Sequence, residues 1–345
     1  MVIHHQRCQP LPRPHEVNGM LVDRFGRVHR SLRISVTDRC NLRCTYCMPE
    51  HTPDYQPRSE ILTFEEIERF TRVAVSLGVD DVRLTGGEPL VRSQLHRLVG
   101  SLSRIEGLGK IALTTNGVLL ADQVEELFAA GLRYVNVSLD ALDAASFQTT
   151  TRRDELDRVL CGINAAHEIG MRVKINSIAM RGLTEHQITA FGEFTRRTDI
   201  PIRFIEFMPL DSDGQWDETS VFSAKEILRR FADHFGPLKP VAANTSSPSK
   251  DYEFADGHGR VGVIASVTEP FCHSCDRFRI TADGQLRNCL FGEDNGDVRA
   301  LLRTSEDDQP IRDLIVAAIT AKRAGHGTDD LTFLRPSRPM HAIGG

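Results

Sequence analysis

Short runs of apolar, often β-branched residues recur between about residues 32 and 210, and longer amphipathic segments separate them. Continuous apolar runs are typical of parallel strands that are buried on both faces of a sheet. Six such runs predict strands that begin near Leu32, Asp81, Lys110, Tyr134, Val173 and Ile202.

The segments between these runs carry helix signals at both ends. Apolar residues recur at helical spacing from Phe64 to Leu77, as on the buried stripe of a surface helix. A capping box, in which Ser or Thr is followed three residues later by Glu or Gln, predicts helix starts at Thr63/Glu66, Thr184/Gln187 and Ser223/Glu226. Glycine C-caps predict helix ends at Gly78, Gly131 and Gly170.

Six strand–helix units in succession predict an α/β fold with a parallel sheet and right-handed crossovers. An open doubly wound sheet and a partial (β/α) barrel both satisfy this rhythm. The rhythm stops near Pro237, where a Pro/Ser/Asn-rich stretch at 239–251 predicts a surface loop or linker, and one more helix is predicted at 311–323. We therefore expect an N-terminal arm at 1–30, a strand–helix domain at 31–236 and a C-terminal region at 237–345.

Polar motifs follow four of the predicted strands. They are Thr85-Gly86-Gly87-Glu88, Thr114-Thr115-Asn116-Gly117, Ser138-Leu139-Asp140 and Met208-Pro209. Function at the carboxyl ends of parallel strands is the rule for both candidate architectures. We therefore expect these loops to converge on one mouth of the sheet.

The composition excludes several classes of protein. The chain has 345 residues, a formal net charge of −5, 6% aromatic residues and a single tryptophan, Trp216. An acidic, aromatic-poor chain argues against a nucleic-acid-binding surface. The longest apolar stretches, such as 315–319, are too short to cross a bilayer, and the first ten residues lack the apolar core of a signal peptide. We expect a cytoplasmic protein that binds neither membrane nor nucleic acid.

Six of the eight cysteines fall in two sets. The first cysteine set, Cys40, Cys44 and Cys47, lies directly after the first predicted strand. Three thiolates on one loop can bind three irons of a cubane and leave the fourth iron open for a cosubstrate, unlike a closed four-cysteine cluster. A zinc site is the alternative, but zinc sites usually pair two cysteines with two distant ligands.

The second cysteine set is Cys272, Cys275 and Cys289. Its spacing alone is equally compatible with zinc and with an iron–sulfur cluster. His273 would be the fourth zinc ligand, although its place inside the Cys-x2-Cys loop suits that role poorly. Of the remaining cysteines, Cys161 lies on an apolar helix face and is predicted to be a small core residue, and Cys8 is left without a role.

Several longer strings carry a family resemblance. Cys-Asn-Leu-Arg-Cys-Thr-Tyr-Cys-Met-Pro (40–49) is similar to the cluster loop of radical S-adenosylmethionine (SAM) enzymes, and Thr-Gly-Gly-Glu-Pro (85–89) to their SAM loop. The segments 32–40, 82–87 and 271–291 and the terminal Gly344-Gly345 resemble the GTP 3′,8-cyclase family of molybdenum cofactor biosynthesis. The resemblance runs from about Leu21 to the last residue. It implies a partial (β/α)6 TIM-like barrel with a C-terminal extension that carries a second iron–sulfur cluster.

The resemblance implies an enzyme with two [4Fe-4S] clusters and SAM as cofactors. In this family the reduced first cluster cleaves SAM to methionine and a 5′-deoxyadenosyl radical. That radical removes hydrogen from C3′ of GTP, and the C3′ radical attacks guanine C8 to give 3′,8-cyclo-7,8-dihydro-GTP, with the second cluster binding the guanine. A site closed to water would protect such radicals.

Residue roles follow from the same resemblance. The cluster ligands are the two cysteine sets, and the residues implied for SAM are Tyr46, Gly87, Asn116, Ser138 and Met208. Those implied for GTP are Arg33, Arg83, Thr114, Lys174, Arg277, Phe278 and Arg279, whose arginines suit a triphosphate. Gly344 and Gly345 match the tail that promotes SAM cleavage, although a frayed terminus is the simpler interpretation. Asp81 and Asp276 depart from the family pattern and put two substrate contacts in question.

The implied partners are GTP, an electron donor of unknown identity, the cyclic pyranopterin monophosphate synthase that takes the product, and a second copy in a homodimer. Two other functions compete with this one. A peptide-modifying radical SAM enzyme usually carries more cysteines after the barrel than the three found here. A zinc-binding interaction module, which is not an enzyme, leaves the 85–89 motif without a purpose.

Overall fold

The computed structural model of the chain describes residues 19–211, 214, 216–242, 247–326 and 336–344. Six parallel strands begin where the apolar runs predict them. They are β1 (Ser31–Ser35), β2 (Asp81–Thr85), β3 (Lys110–Thr115), β4 (Tyr134–Ser138), β5 (Arg172–Ala179) and β6 (Ile202–Glu206). Each pairs with the next in parallel, in the order of the chain, so the predicted strand–helix rhythm is confirmed.

Helices connect the six parallel strands, and further helices come after the last of these strands. They are α1 (Phe64–Ser76), α2 (Leu95–Leu102), α3 (Leu120–Ala129), α4 (Ala144–Thr151), α5 (Leu156–Glu168), α6 (Thr184–Thr198), α7 (Ala224–Phe235), α8 (Val298–Thr304), α9 (Gln309–Thr320) and α10 (Met340–Ile343). The predicted helix at 311–323 is confirmed as α9, with both ends shifted by two or three residues. Helices α8 and α10 have no counterpart in the sequence analysis.

Two of the three predicted capping boxes are present. Thr63 and Glu66 cap α1 reciprocally, and Ser223 and Glu226 do the same for α7. The prediction at Thr184 is wrong, because Thr184 is already inside α6 and its hydroxyl donates to the carbonyl of Ile178. The predicted glycine ends are confirmed: Gly78, Gly131 and Gly170 each follow a helix with φ of 93°, 111° and 91°.

Five more strands extend the sheet at both edges. They are β7 (Leu238–Pro240), β8 (Lys250–Phe254), β9 (Arg260–Ile264), β10 (Arg277–Ile280) and β11 (Leu286–Arg287). The strand order is β11-β10-β1-β2-β3-β4-β5-β6-β9-β8-β7, with β10 parallel to β1 and β9 parallel to β6. The predicted linker at 239–251 is therefore wrong at both ends, which pair as strands, and residues 243–246 lie outside the described residues.

The buried core lies between the sheet and the helices and includes Leu32, Ile34, Val82 and Leu84 with no exposed surface. Alternate residues of the same strands, Arg33 and Arg83 among them, face the opposite side. This is the period of two that a strand imposes on its side chains. Cys161 is exposed, so the prediction that it is a core residue is wrong. It lies on α5 between Val159 and Ile163, which are buried residues of this part of the helix.

Residues 19–30 pack against the rest of the chain. Val22 and Val28 form an antiparallel bridge, and Asp23 and His29 are buried beneath it. Arg27 pairs with Asp23 at 2.6 Å and also donates to the carbonyl of Cys272 at 2.7 Å. This short hairpin thus contacts the second cysteine set, while the predicted division of the chain at residues 30 and 236 stays a prediction.

Candidate functional site

One cavity of about 700 Å³ is lined by the inward faces of the parallel strands. Its volume is in the range of sites that enclose a small molecule or cofactor. The predicted site residues that line it are Arg33, Cys40, Cys44, Tyr46, Cys47, Arg83, Gly87, Thr114, Asn116, Ser138, Lys174, Met208, Cys272, Cys275, Arg277, Arg279 and Cys289. Residues from both ends of the chain therefore meet in one enclosed space.

The two cysteine sets lie at opposite ends of the paired strands β1 and β10. The first set follows the carboxyl end of β1, whereas Cys272 and Cys275 precede the amino end of β10. Because these two strands are parallel neighbours, Arg33 and Arg279, which are register partners, lie between the two sets along the strand direction. The predicted basic side chains come from earlier positions of the strands than the loop motifs do, and both groups line the same cavity.

The first cysteine set is deeply buried in apolar and acidic surroundings. Burial, followed by the nearby carboxylate of Glu88, raises the pKa of Cys40 to about 11, and burial raises that of Cys47 to about 12. The backbone NH of Leu42 donates to Cys40 Sγ at 3.4 Å, and the side-chain amide of Asn116 does so at 3.8 Å. Such thiols need a metal to become thiolates, since metal coordination deprotonates a thiol outright.

The glycine-rich loop after β2 lies directly against this set. The amide of Gly87 donates to the carbonyl of Thr37 at 2.7 Å, and a Cβ atom at Gly87 would lie 2.4 Å from the carbonyl oxygen of Arg39. Only glycine permits that close approach. Glu88 is buried behind the loop, where it accepts hydrogen bonds from Thr115 Oγ1 and the amide of Asn116, and burial raises its pKa to about 7.

Tyr46 and Asp140 form a buried pair next to the first cysteine set. The Tyr46 hydroxyl donates to Asp140 Oδ2 at 2.6 Å, and the amide of Ile178 donates to Asp140 Oδ1 at 2.8 Å. Burial raises the pKa of Asp140 to about 6, an effect that these two hydrogen bonds oppose. Ser138 and Met208 line the same part of the cavity wall.

A layer of buried basic residues occupies the middle of the cavity. Arg33 is the register partner of both Arg83 and Arg279, so three arginines lie side by side on adjacent strands. Burial, followed by Arg277, Arg83 and Arg279, lowers the pKa of Arg33 well below its ordinary value. Like charges directly opposite each other destabilise a sheet. Asp81 is a carboxylate that acts on Arg33 and Arg83, and a bound anion would offset the remaining repulsion.

Unsatisfied donors support the same interpretation. In the described part of the chain, the buried Nε atoms of Arg33, Arg203 and Arg279 have no hydrogen-bond partner. An unpaired buried donor is costly. Burial, followed by Arg203, lowers the pKa of Lys174 to about 8, and Thr114 accepts a 3.4 Å hydrogen bond from Arg83 Nη1. A polyphosphate would supply acceptors to all of these groups.

Two basic residues of this layer were missed by the sequence analysis. Arg203 pairs with Asp251 at 2.7 Å, and Lys110 pairs with Asp81 at 2.6 Å. Both cations line the cavity. The alternation of Arg203 with Ile202 and Phe204 was a signal that could have identified it, as it did for Arg33. Asp81 departs from the family pattern and contributes no cation itself. Through its ion pair it holds the cation of Lys110 at the cavity wall instead.

The second cysteine set has basic surroundings. Arg277 and Lys322 each donate to Cys275 Sγ at 3.6 Å. Burial would raise the pKa of Cys275, but the charges of Arg277 and Lys322 outweigh it and lower the pKa to about 6. Asp276 lines the cavity beside them, and burial raises its pKa. Lys322 had no signal in the sequence, since it follows α9 far from both cysteines of the loop.

The C-terminal tail lies close to the cavity. Arg279 Nη1 donates to the carbonyl of Gly344 at 3.3 Å, and a Cβ atom at Gly344 would lie 2.6 Å from the Cβ of Ser35. His341, one turn earlier, approaches the carbonyl of Cys47 at 3.4 Å. Gly345 lies outside the described residues. The side chain of Phe278 packs in the core and does not line the cavity, so its contact with substrate stays a prediction.

The donor chemistry of the two cysteine sets suits iron–sulfur clusters. Across the described ranges, no group of three His, Cys, Asp or Glu side chains is arranged to hold one metal ion. A four-iron cluster binds each thiolate through a different iron, so its ligands need not meet at one point. Each set presents three thiols to the same cavity, which suits such a group.

Comparisons with known proteins agree with this site. The radical SAM superfamily model matches residues 34–195, and the model for the C-terminal region of molybdenum cofactor synthesis proteins matches residues 200–328. The GTP 3′,8-cyclase of Rhodopirellula baltica is 48% identical over 330 residues, which cover 94% of this chain and 92% of that protein. The GTP 3′,8-cyclase of Streptomyces coelicolor is 45% identical over 329 residues, with coverage of 94% and 96%.

More distant solved structures share the fold. SuiB of Streptococcus suis superposes with a TM-score of 0.55 at 17% identity, covering 77% of this chain, which spans only 62% of SuiB. The structure described as native anSMEcpe with bound AdoMet superposes with a TM-score of 0.57 at 16% identity, covering 81% of this chain and 82% of that one.

No helix among the described residues is long and apolar enough to cross a membrane. The two GTP 3′,8-cyclases each match 94% of this chain. The chain therefore belongs to the GTP 3′,8-cyclase family of radical SAM enzymes.

Proposed function

We propose that this chain is a GTP 3′,8-cyclase, which converts GTP to 3′,8-cyclo-7,8-dihydro-GTP in the first step of molybdenum cofactor biosynthesis. One observation carries the proposal. A layer of arginines lies along β1 and β10 between the two cysteine sets, and the buried Nε atoms of Arg33 and Arg279 lack partners within the described residues. A triphosphate held there would extend its nucleoside along the cavity, between the sites of two iron–sulfur clusters.

The first cysteine set would hold the cluster that binds SAM. When bound, that cluster and SAM supply the 5′-deoxyadenosyl radical that removes the C3′ hydrogen atom of GTP. Gly87 would bind the methionine end of SAM, as the family resemblance implies, and its lack of a side chain lets this loop pack against the backbone of Arg39. Tyr46, fixed by Asp140, would border the adenine, with Asn116, Ser138 and Met208 completing the SAM site.

The basic layer would bind the triphosphate. Arg33, Arg83 and Arg279 would donate in bidentate fashion, a geometry that suits phosphate oxygens. Lys174 and Thr114 lie beside them, and Arg203 and Lys110 would add two further cations. Fixing both ends of GTP would hold C3′ and C8 in contact, and such positioning can supply a large part of a rate enhancement.

The second cysteine set would hold a second cluster, to which guanine binds. Its surroundings differ from those of the first set, because cations and not carboxylates contact it. The tail, through Gly344 and Gly345, would close the site and promote SAM cleavage, as the family resemblance implies. Phe278 would act from the core, as support for Arg277 and Arg279 on either side of it.

The test begins with anaerobic purification, reconstitution and measurement of iron and sulfide. We expect about eight irons per chain, two cubanes' worth. Formation of 5′-deoxyadenosine with dithionite should increase when GTP is added. With GTP deuterated at C3′, deuterium should appear in 5′-deoxyadenosine and the cyclised nucleotide should be detected by mass spectrometry.

The controls separate the parts of the proposal. Cys44→Ser should abolish SAM cleavage, whereas Cys275→Ser should reduce iron by about half and abolish the cyclised product. SAM cleavage that is indifferent to GTP, with one cubane's worth of iron, would keep the radical SAM activity and refute the nucleotide substrate. Zinc without iron would refute the whole proposal.

We further propose that the enzyme works in the cytoplasm, where its thiols stay reduced, and as a homodimer. An electron donor of unknown identity would reduce the clusters, and the product would pass to the synthase that makes cyclic pyranopterin monophosphate. The barrel would occupy 31–236, after an arm at 1–30 and before the cluster-bearing region at 237–345. Sedimentation of the reconstituted enzyme tests the dimer directly.

A further inference from the structure

Lys322 is a buried lysine whose amino group reaches the second cysteine set. It follows the last turn of α9 and is only 3% exposed. Its Nζ donates to the carbonyl of Arg277 at 2.6 Å and to Cys275 Sγ at 3.6 Å. The amino group is therefore fixed between the backbone of β10 and a thiol of the Cys-x2-Cys loop.

The carboxylate of Asp276, next to Cys275, interacts with the charge of Lys322 but forms no ion pair with it. Among the described residues, no Asp or Glu oxygen lies within salt-bridge distance of Lys322, although its neighbour Arg27 is paired with Asp23. A buried ammonium group without a counter-charge is strongly unfavourable. The anion in contact with Lys322 would be the Cys275 thiolate of a bound cluster, since this sulfur lies 3.6 Å from Nζ.

The two cysteine sets therefore differ in the charge of the side chains around them. The carboxylates of Glu88 and Asp140 line the cavity together with the first set. At Cys275, two cations donate directly to the sulfur. The reduction potential of an iron–sulfur cluster depends on net charge and on hydrogen bonds to its sulfurs, and a nearby positive charge favours the reduced form.

We propose that Lys322 is a positioning residue of the second cluster, which holds the Cys275 thiolate and raises the reduction potential of that cluster. This inference rests on the proposed function, since it requires that the second set carries a cluster. In this reduction the oxidised second cluster takes up one electron, which dithionite supplies in vitro. Arg27 supports the same loop through the carbonyl of Cys272 and is paired with Asp23.

The test is a redox titration of the reconstituted enzyme followed by electron paramagnetic resonance. The signal that responds to SAM identifies the first cluster, and the other signal reports on the second. Lys322→Met removes the charge and keeps the length of the side chain. We expect it to reduce the ratio of reduced to oxidised second cluster at least tenfold at fixed potential, about 59 mV for one electron, without a change in the first cluster.

Two further variants complete the test. Lys322→Arg keeps the charge, so the reduction potential of its second cluster should stay close to that of the wild type. If Lys322→Met loses both clusters, the potential measured in Lys322→Arg becomes the test of the proposal. Lys225→Met makes the same substitution at an exposed position of α7 and should change nothing. Selective loss of the iron of the second cluster in Lys322→Met, with the SAM-responsive signal retained, also supports the proposal.

The contrary outcomes are distinct. If the wild type binds one cubane's worth of iron, the second cluster is refuted and this inference with it. If the wild type binds both clusters and Lys322→Met leaves the second potential unchanged, the role of Lys322 alone is refuted. An equal negative shift in Lys322→Arg and Lys322→Met would show that charge is not the cause, and would also refute it.

Discussion

The hydroxyl of Tyr46 donates a 2.6 Å hydrogen bond to Asp140, a residue 94 positions later in the chain. This bond joins the loop of the first cysteine set to the carboxyl end of β4. We expect Asp140→Asn to weaken SAM binding about tenfold, because a buried hydrogen bond to a carboxylate contributes about 1.5–3 kcal/mol and orients the Tyr46 ring. The measurement is the SAM affinity of the reconstituted enzyme, followed by its cluster spectrum.

A double-mutant cycle separates this bond from general damage. If Tyr46 and Asp140 act together, the loss in Tyr46→Phe/Asp140→Asn should be close to that of either single variant. Additive losses would mean that the two residues contribute independently. Such a result would contradict the coupling that we infer from their contact.

The pair of Lys110 and Asp81 predicts two opposite effects on GTP binding. Lys110→Met should raise the KM for GTP several-fold, because it removes a cation from the cavity mouth, where partial exposure limits the effect to about 1 kcal/mol. Asp81→Asn should lower the KM, because it releases Lys110 from a 2.6 Å ion pair. Initial rates of GTP-dependent 5′-deoxyadenosine formation give both values. An Asp81→Asn variant with a raised KM would contradict this assignment.

The strands were predictable because their apolar pattern does not depend on partners. Six buried parallel strands read as continuous apolar runs, and all six begin within one residue of the predicted positions. Of the strands after Pro237, β7 and β8 were missed because they are short and antiparallel with few buried residues. Strands β9 and β10 pair in parallel with β6 and β1 but lie outside the strand–helix rhythm. Thr184 has the local signature of a helix cap, but its hydroxyl bonds the end of β5 instead.

The site was predictable where its chemistry is local. The spacing of residues in the sequence is enough to recognise three cysteines on one loop or a glycine-rich turn after a strand. Lys322 acts through contacts between distant segments, which no local pattern records. Asp140 lies in a predicted motif and Arg203 in a strand alternation, but neither pattern names the partner residue. The separation of the two cysteine sets to opposite ends of the strands depends on β10 pairing with β1, a long-range contact that spacing does not reveal.

The arginine layer predicts that one substitution stabilises the protein and removes its function. Arg83→Met should raise the free energy of unfolding of the apoprotein by about 1 kcal/mol, because it relieves repulsion from its cross-strand neighbour Arg33. The same variant should lose the rise in melting temperature that GTP gives the wild type. Thermal unfolding with and without GTP measures both effects. Destabilisation of the apoprotein by Arg83→Met would refute the repulsion.

Glu88 predicts a pH dependence of stability. Burial raises the pKa of Glu88 from 4.5 to about 7. The folded apoprotein therefore retains a proton that the unfolded chain has lost, and the contribution of Glu88 to stability falls as the pH rises from about 4.5 to about 7. The total loss is at most about 3 kcal/mol.

Comparison with Glu88→Gln isolates this contribution. The difference in free energy of unfolding between wild type and variant should shift against the wild type as the pH rises, and should be constant above about pH 8. Urea denaturation of the apoprotein under reducing conditions at several pH values measures it. A difference that does not vary between pH 4.5 and 7 would mean that Glu88 is ionised throughout.

Arg338 anchors the C-terminal tail beside the cavity. Its guanidinium group donates to both carboxylate oxygens of Asp283 at 3.0 Å and pairs with Asp294, also at 3.0 Å. Five residues later, Ile343 is fully buried, and the carbonyl of Gly344 accepts from Arg279. The tail is therefore held at Arg338 and at Gly344. The contact of Gly344 is with Arg279, which lines the cavity, whereas the contacts of Arg338 lie outside it.

We expect Arg338→Gln to release the tail and to slow SAM cleavage about tenfold, a loss of about 1.4 kcal/mol. Amide hydrogen exchange at residues 340–344 should accelerate, while exchange in the barrel strands stays unchanged. Arg30→Gln removes an exposed arginine paired with Asp80 and should affect neither measurement. Slow cleavage with an unchanged exchange rate in the tail would mean that Arg338 acts on the reaction by another route. Fast exchange with full activity would mean that an ordered tail is not needed, because the binding of GTP or SAM is then enough to close the site.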